Sequence, residues 1–430
     1  MKIIRETQSL CPRCLMRLPA VIYEKNGEVY MQKTCPLHGG FDVYVWPDAD
    51  HYRWVLGFDF SCVARMPQTT TATGCPRDCG LCTNHRRAIT LPEIEVTWRC
   101  NLSCPVCFMF DGGVPADPSM AEIRTMFETI RTFDGTGLSI QITGGEPTVR
   151  QELPEIIAMA KELGFVAVEL NTNGLAIGRD INYLKELKVA GVTNVYLQFD
   201  GLNPETTRAL RGRDVLADKL QAIENCRIEE IPVILSVTIV KGINDQEQGD
   251  IVRFAMHNLD VVHGLALQPA FVSGRFEVEK PKHLSVGDVA RLLAEQTGGK
   301  IRARDFWPVG SSHPLCYGST YLLGEGEEYK PFTRDLDATD YLRMLSADSP
   351  QGAVFMDIVE KSFLEGQVPM GLPILIMEYM DAWTMDLARA RECNLAVTVA
   401  DGTSIPFCVY HLMDADGRRL YPHGGRSKNG

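Results

Sequence analysis

Ile94-Glu-Val-Thr-Trp98-Arg-Cys100-Asn-Leu-Ser-Cys104-Pro-Val-Cys107-Phe108 is the stretch from which the rest of the chain can be read. Ile94–Trp98 is rich in apolar and β-branched residues and predicts a strand. Three thiols follow it within eight residues. Thiolates that close suit one compact multi-iron centre, since 4Fe–4S clusters are held by Cys at such short spacings. Three protein ligands leave one iron open to a small molecule, by the logic that separates catalytic from closed zinc sites. A closed structural site, its fourth ligand supplied from elsewhere, is the alternative that spacing leaves standing.

Outward from this strand the pattern alternates. Further strands are predicted at Leu138–Thr143, Val166–Leu170, Asn194–Phe199, Val233–Val240 and Gly264–Leu267. Helix-period segments lie between them, at Met120–Thr132, Glu152–Leu163, Ile181–Val189, Val215–Arg227 and Gln246–Asn258. Six such units imply a parallel sheet covered by helices. The second strand runs into Gly144-Gly145-Glu146-Pro147, 37 residues after Cys107. That interval fits one crossover helix and one strand. Glycines there let a ligand approach the backbone closely, and Glu146 offers a carboxylate acceptor.

The CxxxCxxC sequence followed by an aromatic, with GGEP one βα unit later, resembles the radical S-adenosylmethionine superfamily. The resemblance implies an α/β fold: a partial (βα)6 barrel, here with a small N-terminal metal ribbon and a C-terminal auxiliary-cluster extension. It implies a 4Fe–4S cluster on Cys100, Cys104 and Cys107 whose open iron binds S-adenosylmethionine, and one-electron cleavage to a 5′-deoxyadenosyl radical. Gly144, Gly145, Glu146 and Pro147 fall where the family holds the methionine amino group. Asn173, Gln198 and Asp200, at the ends of strands three and four, fall where it contacts ribose and carboxylate. Val237–Gly242 and Leu267–Pro269 fall where it touches adenine. Without the resemblance each of these later segments reads equally well as turn or cap chemistry.

The chain holds 14 cysteines in 430 residues, clustered. In a reducing compartment tight groups read as metal ligands rather than disulfides. Cys75-x3-Cys79-x2-Cys82 repeats the spacing of the central triplet, but it sits in a loop with no GGEP at the right distance. It is read as an auxiliary 4Fe–4S site, a structural zinc site being the alternative. Cys316, Cys393 and Cys408 resemble scattered ligands of a further auxiliary cluster, so one or two such clusters are expected. Cys11-x2-Cys14 and Cys35-x2-His38 flank an Asn26-Gly27 hairpin signal with zinc-ribbon spacing. Mononuclear zinc or iron would fit, with Cys62 as a possible thiolate in place of His38. Cys226, within a helical run, reads as a core residue.

These features divide the chain into a metal-binding ribbon (1–60), an auxiliary-cluster segment (61–92), a core barrel (93–300) and a C-terminal auxiliary-cluster and substrate region (301–430). The net charge of −12 argues against a nucleic-acid partner held through phosphates. The longest apolar runs are too short to span a membrane, and the start lacks an apolar signal region, so a cytoplasmic enzyme is expected.

Over almost the whole chain, the order CPxC, CPxHG, GCPxDCGLC, TxRCNLSCPVCF, ITGGEPT, MEYMDAW, IPFC looks like the group of archaeal tetraether lipid synthase and the dihydro-hydroxymethylpterin methyltransferases. The expected reaction is activation of an unreactive C–H carbon, in the first place carbon–carbon coupling of lipid chains. Met370–Met377 is apolar enough to line a lipid tunnel, although buried core is the plainer reading. Methyl transfer to a pterin precursor is the alternative, and a non-catalytic iron–sulfur electron carrier is the rival from another class. The partners implied are S-adenosylmethionine, a lipid or pterin-like substrate, and a reductant such as ferredoxin or flavodoxin.

Overall fold

Four antiparallel strands open the chain: β1 (Lys2–Leu10), β2 (Arg17–Lys25), β3 (Glu28–Cys35) and β4 (Gly39–Trp46). Asn26 and Gly27 join β2 to β3 with φ of +55° and +82°. Both central residues are therefore left-handed, the primed turn that matches strand twist and that Asn-Gly favours. Helix α1 (Ala49–Leu56), capped by the Asp48 carboxylate, follows. The computed structural model describes residues 1–60, 66–110, 112–113, 115–278, 283–344 and 371–424. Cys62 and Met370 lie outside them.

The barrel is built from β5 (Leu91–Thr97), β7 (Ser139–Gly144), β8 (Ala167–Thr172), β9 (Asn194–Gln198), β10 (Val233–Ile239) and β11 (Val262–Pro269), all parallel and adjacent in that order. Helices α2 (Met120–Phe133), α3 (Leu153–Glu162), α4 (Leu175–Arg179), α5 (Ile181–Ala190), α6 (Pro204–Arg211), α7 (Leu216–Ile228) and α8 (Gln248–Met256) cross between them. Ser119 and Glu122 form a reciprocal capping box that starts α2. The short strands β6 (Val106–Cys107) and β12 (Arg275–Phe276) pair with each other beside the cysteine loop. Strand β5 begins three residues earlier than its sequence pattern predicts. Pro92 reads as a breaker, yet Leu91–Glu93 pair with a strand from the distant C-terminal region.

Six strands leave two open edges, and exposed edges are a liability. The C-terminal region covers both. Strand β15 (Gly371–Met377) adds parallel to β11, followed by antiparallel β13 (Tyr317–Glu325) and β14 (Glu328–Pro331). At the other edge β16 (Leu395–Thr398) adds parallel to β5, followed by β17 (Ser404–Pro406). The region expected to be an appended extension thus shares the barrel's sheet. Helix α9 (Val286–Gln296) packs on β11 and β15 and on β4 of the ribbon. One apolar core runs from Val29, Met31 and Trp46 of the ribbon to Ile94, Ile142 and Leu170 of the barrel. Cys226 is buried in it.

Candidate active site

Cys100, Cys104 and Cys107 stand at the carboxyl ends of the barrel strands, around the mouth of a cavity of about 450 Å³. Gly144, Gly145 and Glu146 meet them there. The backbone N–H of Gly145 donates to Thr97 O at 2.8 Å, and that of Glu146 to Arg99 O at 2.9 Å. A Cβ on Gly144 would lie 2.2 Å from Thr97 O, and one on Gly145 2.4 Å from Arg99 O. The chain's own backbone makes a close approach that demands glycine at both positions. It locks the end of β7 to the strand that launches the cysteine loop. Glu146, 1% exposed, is likewise engaged. Its oxygens accept from Thr148 N and Oγ1, Thr172 Oγ1 (2.7 Å) and Asn173 N (2.7 Å), tying β7 to β8. Pro147 starts a single 3₁₀ turn outside the cavity lining.

Asn173 and Gln198 line the cavity, but Asp200 does not. Asp200 is fully buried and grips Arg211 through Nε (2.6 Å) and Nη2 (2.5 Å), while also accepting from Thr238 N. Arg211 itself lines the cavity. The carboxylate thus acts one step back, orienting a guanidinium that can receive an anion. Lys219, on α7 and fully buried, donates to Asn173 O (3.1 Å), Gln198 O (2.6 Å) and Gln198 Oε1 (2.6 Å). Burial, against the opposing pull of Asp200, brings its ammonium down to about 8. Thr238, Gln268 and Pro269 also line this end; Gly242 does not.

Deeper in the barrel the walls change character. Glu93, Gln141 and Glu169 occupy one paired row across β5, β7 and β8. With Asn171, Tyr196 and Ser236 they set polar side chains into the inner part of a lining that otherwise includes Leu91, Ile234, Leu265 and Pro373. Glu169 accepts from the side-chain amides of Gln141 and Asn194. Burial still pushes its carboxyl up to about 7, and burial with the neighbouring Glu95 and Glu169 pushes Glu93 up to about 8. One side wall is aromatic: Phe108 stacks on Phe271, and Tyr379 lies against Phe407. Along β15 the residues alternate. Leu372, Ile374 and Ile376 enter the core, while Pro373, Leu375 and Met377 face the cavity.

Behind Tyr379 and Phe407 lies a second, small cavity whose wall includes Cys316, Cys393 and Cys408. Residues far apart in sequence thus gather three thiols. Burial, then Cys408 and Cys316, push the Cys393 thiol well above its ordinary value. Arg389, paired with Glu378 at 2.9 Å, is the cation beside them. Cys75 and Cys79 are buried against each other, with Arg391 and Arg17 nearby, and Cys82 is buried in the same loop. In the ribbon, Cys11, Cys14, Cys35 and His38 bring four ligand atoms within 4.8 Å of one another. Cys14 and Cys35 Sγ are 3.9 Å apart, and Cys11 Sγ to His38 Nδ1 is 3.4 Å. A tetrahedral ion with metal–sulfur bonds of about 2.3 Å needs sulfurs about 3.8 Å apart, so these four fit one ion and are too close for a cluster.

The donor set at the mouth fits a cluster with a bound nucleoside. Three thiols surround an opening, a guanidinium offers an anion site, and backbone and amide groups supply polar contacts. Sequence reasoning missed Arg211, Lys219 and the inner polar row. A signal for the row was present: Ser139, Gln141 and Thr143, then Glu169 and Asn171, Tyr196 and Gln198, and Ser236 and Thr238 put polar residues at every second position of their strands. Parallel strands buried on both faces normally read as continuous apolar runs. Polar alternation in a barrel marks a lined cavity.

Comparison with known proteins gives two family matches: the radical SAM superfamily over residues 94–255 and the HMPTM N-terminal zinc ribbon domain over residues 3–47. A 7,8-dihydro-6-hydroxymethylpterin dimethyltransferase of Methanocaldococcus jannaschii is 35% identical, over 95% of this chain and 94% of that protein. A probable GTP 3′,8-cyclase of Methanothermobacter marburgensis is 32% identical, over 57% of this chain and 76% of that protein. Streptococcus suis SuiB, solved with S-adenosylmethionine, has a TM-score of 0.42 and 17% identity, over 50% of this chain and 48% of that one.

Proposed function

Since the chain belongs to the radical S-adenosylmethionine superfamily, in the group of the pterin dimethyltransferase, we propose that it transfers methyl groups to a reduced pterin. The observation that carries this reading is the inner end of the cavity, where carboxylates and amides line the barrel. A hydrogen-bonding heterocycle satisfies such groups. An alkyl chain would strip them of water and give nothing back, at a cost of about 1–3 kcal/mol per group. Methyl transfer therefore replaces lipid-chain coupling as the favoured reaction. No helix among the described residues is long and apolar enough to cross a membrane.

Cys100, Cys104 and Cys107 would hold a 4Fe–4S cluster. The backbone of Gly144–Glu146, with Asn173 and Gln198, would orient S-adenosylmethionine, and Arg211 would pair with its carboxylate. Bound together, cluster and S-adenosylmethionine would supply abstraction of a hydrogen atom from an unreactive carbon; a second S-adenosylmethionine would give the methyl, its methyl–sulfur bond breaking to leave S-adenosylhomocysteine, with two electrons per methyl drawn from the reductant. The protein's own part is positional. Glu146 and the two glycines fix the cysteine loop against β7, and Asp200 aims Arg211. The aromatic wall excludes water from the space between mouth and inner end. Cys316, Cys393 and Cys408 are proposed to hold an auxiliary cluster separated from the substrate only by Tyr379 and Phe407. Cys75, Cys79 and Cys82 are proposed as a second auxiliary site, and Cys11, Cys14, Cys35 and His38 as a zinc site. A small one-electron donor such as ferredoxin or flavodoxin would serve as reductant.

The test is anaerobic reconstitution with iron and sulfide, then reaction with dithionite, S-adenosylmethionine and 6-hydroxymethyl-7,8-dihydropterin. Methylated pterin and 5′-deoxyadenosine are expected, and neither from Cys104→Ala. Formation of 5′-deoxyadenosine without any methylated pterin would sink the substrate assignment. Absence of both in the unaltered enzyme would sink the proposed chemistry.

A further inference from the structure

We propose that Glu93 is the specificity residue of the substrate site, reading the amino edge of a 2-amino-4-oxopyrimidine ring at the inner end of the barrel. The inference rests on the proposed function in placing a substrate there, and goes further in naming the ring and the residue.

Glu93 is 6% exposed and lines the cavity. Buried carboxylates are hydrogen-bonded almost without exception. Glu169, its neighbour in the row, obeys that rule through Gln141 and Asn194. The Glu93 carboxyl has no hydrogen-bond partner among the described residues. The charges nearest to it are the carboxylates of Glu95 and Glu169, so its surroundings oppose its ionisation. Two further groups on the same cavity wall are also unsatisfied: Asn171 Oδ1 and Ser139 Oγ, each buried without a partner. The Glu93 carboxyl is thus the group of this wall that opens toward the cavity without a partner from the protein.

What completes such a group is a flat ring with adjacent N–H donors. In a 2-amino-4-oxopyrimidine the exocyclic amino group and the neighbouring ring N–H point the same way, spaced to meet both oxygens of one carboxylate. The aromatic wall of Phe108, Phe271, Tyr379 and Phe407 suits the face of a planar heterocycle. A metal ion is a poorer occupant, because both oxygens of Glu169 already accept from amides. Pterins and guanine share this ring edge, so the pocket chemistry names the ring and the experiment separates its two sources.

Equilibrium binding to the cluster-loaded enzyme with S-adenosylmethionine, without reductant, tests the proposal. The probes are 6-hydroxymethyl-7,8-dihydropterin, its 2-oxo analogue in which the amino group is replaced, and GTP. Measured at about pH 9, above the value of about 8 to which the Glu93 carboxyl is raised, the unaltered enzyme should prefer the amino ring over the 2-oxo analogue by about 30- to 100-fold, the worth of hydrogen bonds to a charged acceptor. Glu93→Gln, judged folded by its circular dichroism and melting curve, should bring that preference to within about threefold, because a carboxamide accepts at only one atom. Preference for GTP over the pterin, abolished by Glu93→Gln, would uphold Glu93 while sinking the pterin reading. Tight pterin binding that Glu93→Gln leaves unchanged would overturn Glu93 while sparing that reading. The analogue comparison needs no variant: an unaltered enzyme that binds both rings equally, or neither, overturns the proposal by itself.

Discussion

Replacing Asp200 by Asn tests whether the wall of the cavity is held by a buried ion pair. Asp200 is fully buried, Arg211 is 8% exposed, and the two are joined by Nε–Oδ2 at 2.6 Å and Nη2–Oδ1 at 2.5 Å. An amide of the same shape keeps the packing but removes the charge, leaving a guanidinium inside the protein with only the Cys104 thiol beside it as an anionic partner. Breaking a buried pair in this way costs about 3–5 kcal/mol. Arg211 keeps its bond to Thr238 Oγ1 at 3.0 Å and faces the cavity, so the lower figure, about 3 kcal/mol, applies. At about 2 °C per kcal/mol for a large domain, the melting temperature should fall by about 6 °C. Scanning calorimetry of the anaerobically purified protein reads this directly. The affinity for S-adenosylmethionine should fall with it, since Arg211 loses its aim. The double variant Asp200→Asn/Arg211→Met, with no charge left to strand, should recover part of the stability but none of the affinity. A single variant that melts within 1 °C of the unaltered protein, or a double variant no more stable than the single, refutes the argument.

Gly145→Ala forces a Cβ to 2.4 Å from Arg99 O, at a cost of about 1–3 kcal/mol, and shifts the loop carrying Cys100. Iron and sulfide per chain should drop on reconstitution; full loading with unaltered cleavage of S-adenosylmethionine would show that the close approach is dispensable. Glu93 carries a pH signature in the protein without substrate. Its carboxyl is raised from 4.5 to about 8 by burial, then by Glu95 and Glu169. A raised carboxyl contributes fully below its ordinary value, and the contribution is lost as pH climbs through about 8. The melting temperature of the unaltered protein should therefore fall more steeply between about pH 5 and pH 8 than that of Glu93→Gln. Parallel profiles for the two proteins would refute the unpaired carboxyl.

Much of the fold was legible in sequence because it is encoded by neighbours. The period of apolar residues gave six strands and five of the crossover helices within a few residues of their places. Asn26-Gly27 announced its hairpin, and the ribbon ligands sit at knuckle spacing because each pair is held by one short turn. The bounds of β5 were less legible, since Pro92 hides a strand that exists through pairing with β16. The structural contacts of Gly144, Gly145 and Glu146 were not legible. Nothing local reveals that their partner is the backbone of Thr97 and Arg99.

Short-range spacing, then, marked where metal could be held, since a few bonds of chain fix how far apart adjacent thiols can lie. It could not rank the two identical triplets. Their difference is what surrounds them: Cys100, Cys104 and Cys107 open onto a cavity, while Cys75 and Cys79 are buried beside Arg391. The union of Cys316, Cys393 and Cys408, the pairing of Asp200 with Arg211, and the row of Glu93, Gln141 and Glu169 exist only once the strands are laid side by side in the sheet. Sheet formation brings side chains from separate strands onto one face, and burial there turns ordinary carboxylates and thiols into groups that need a partner.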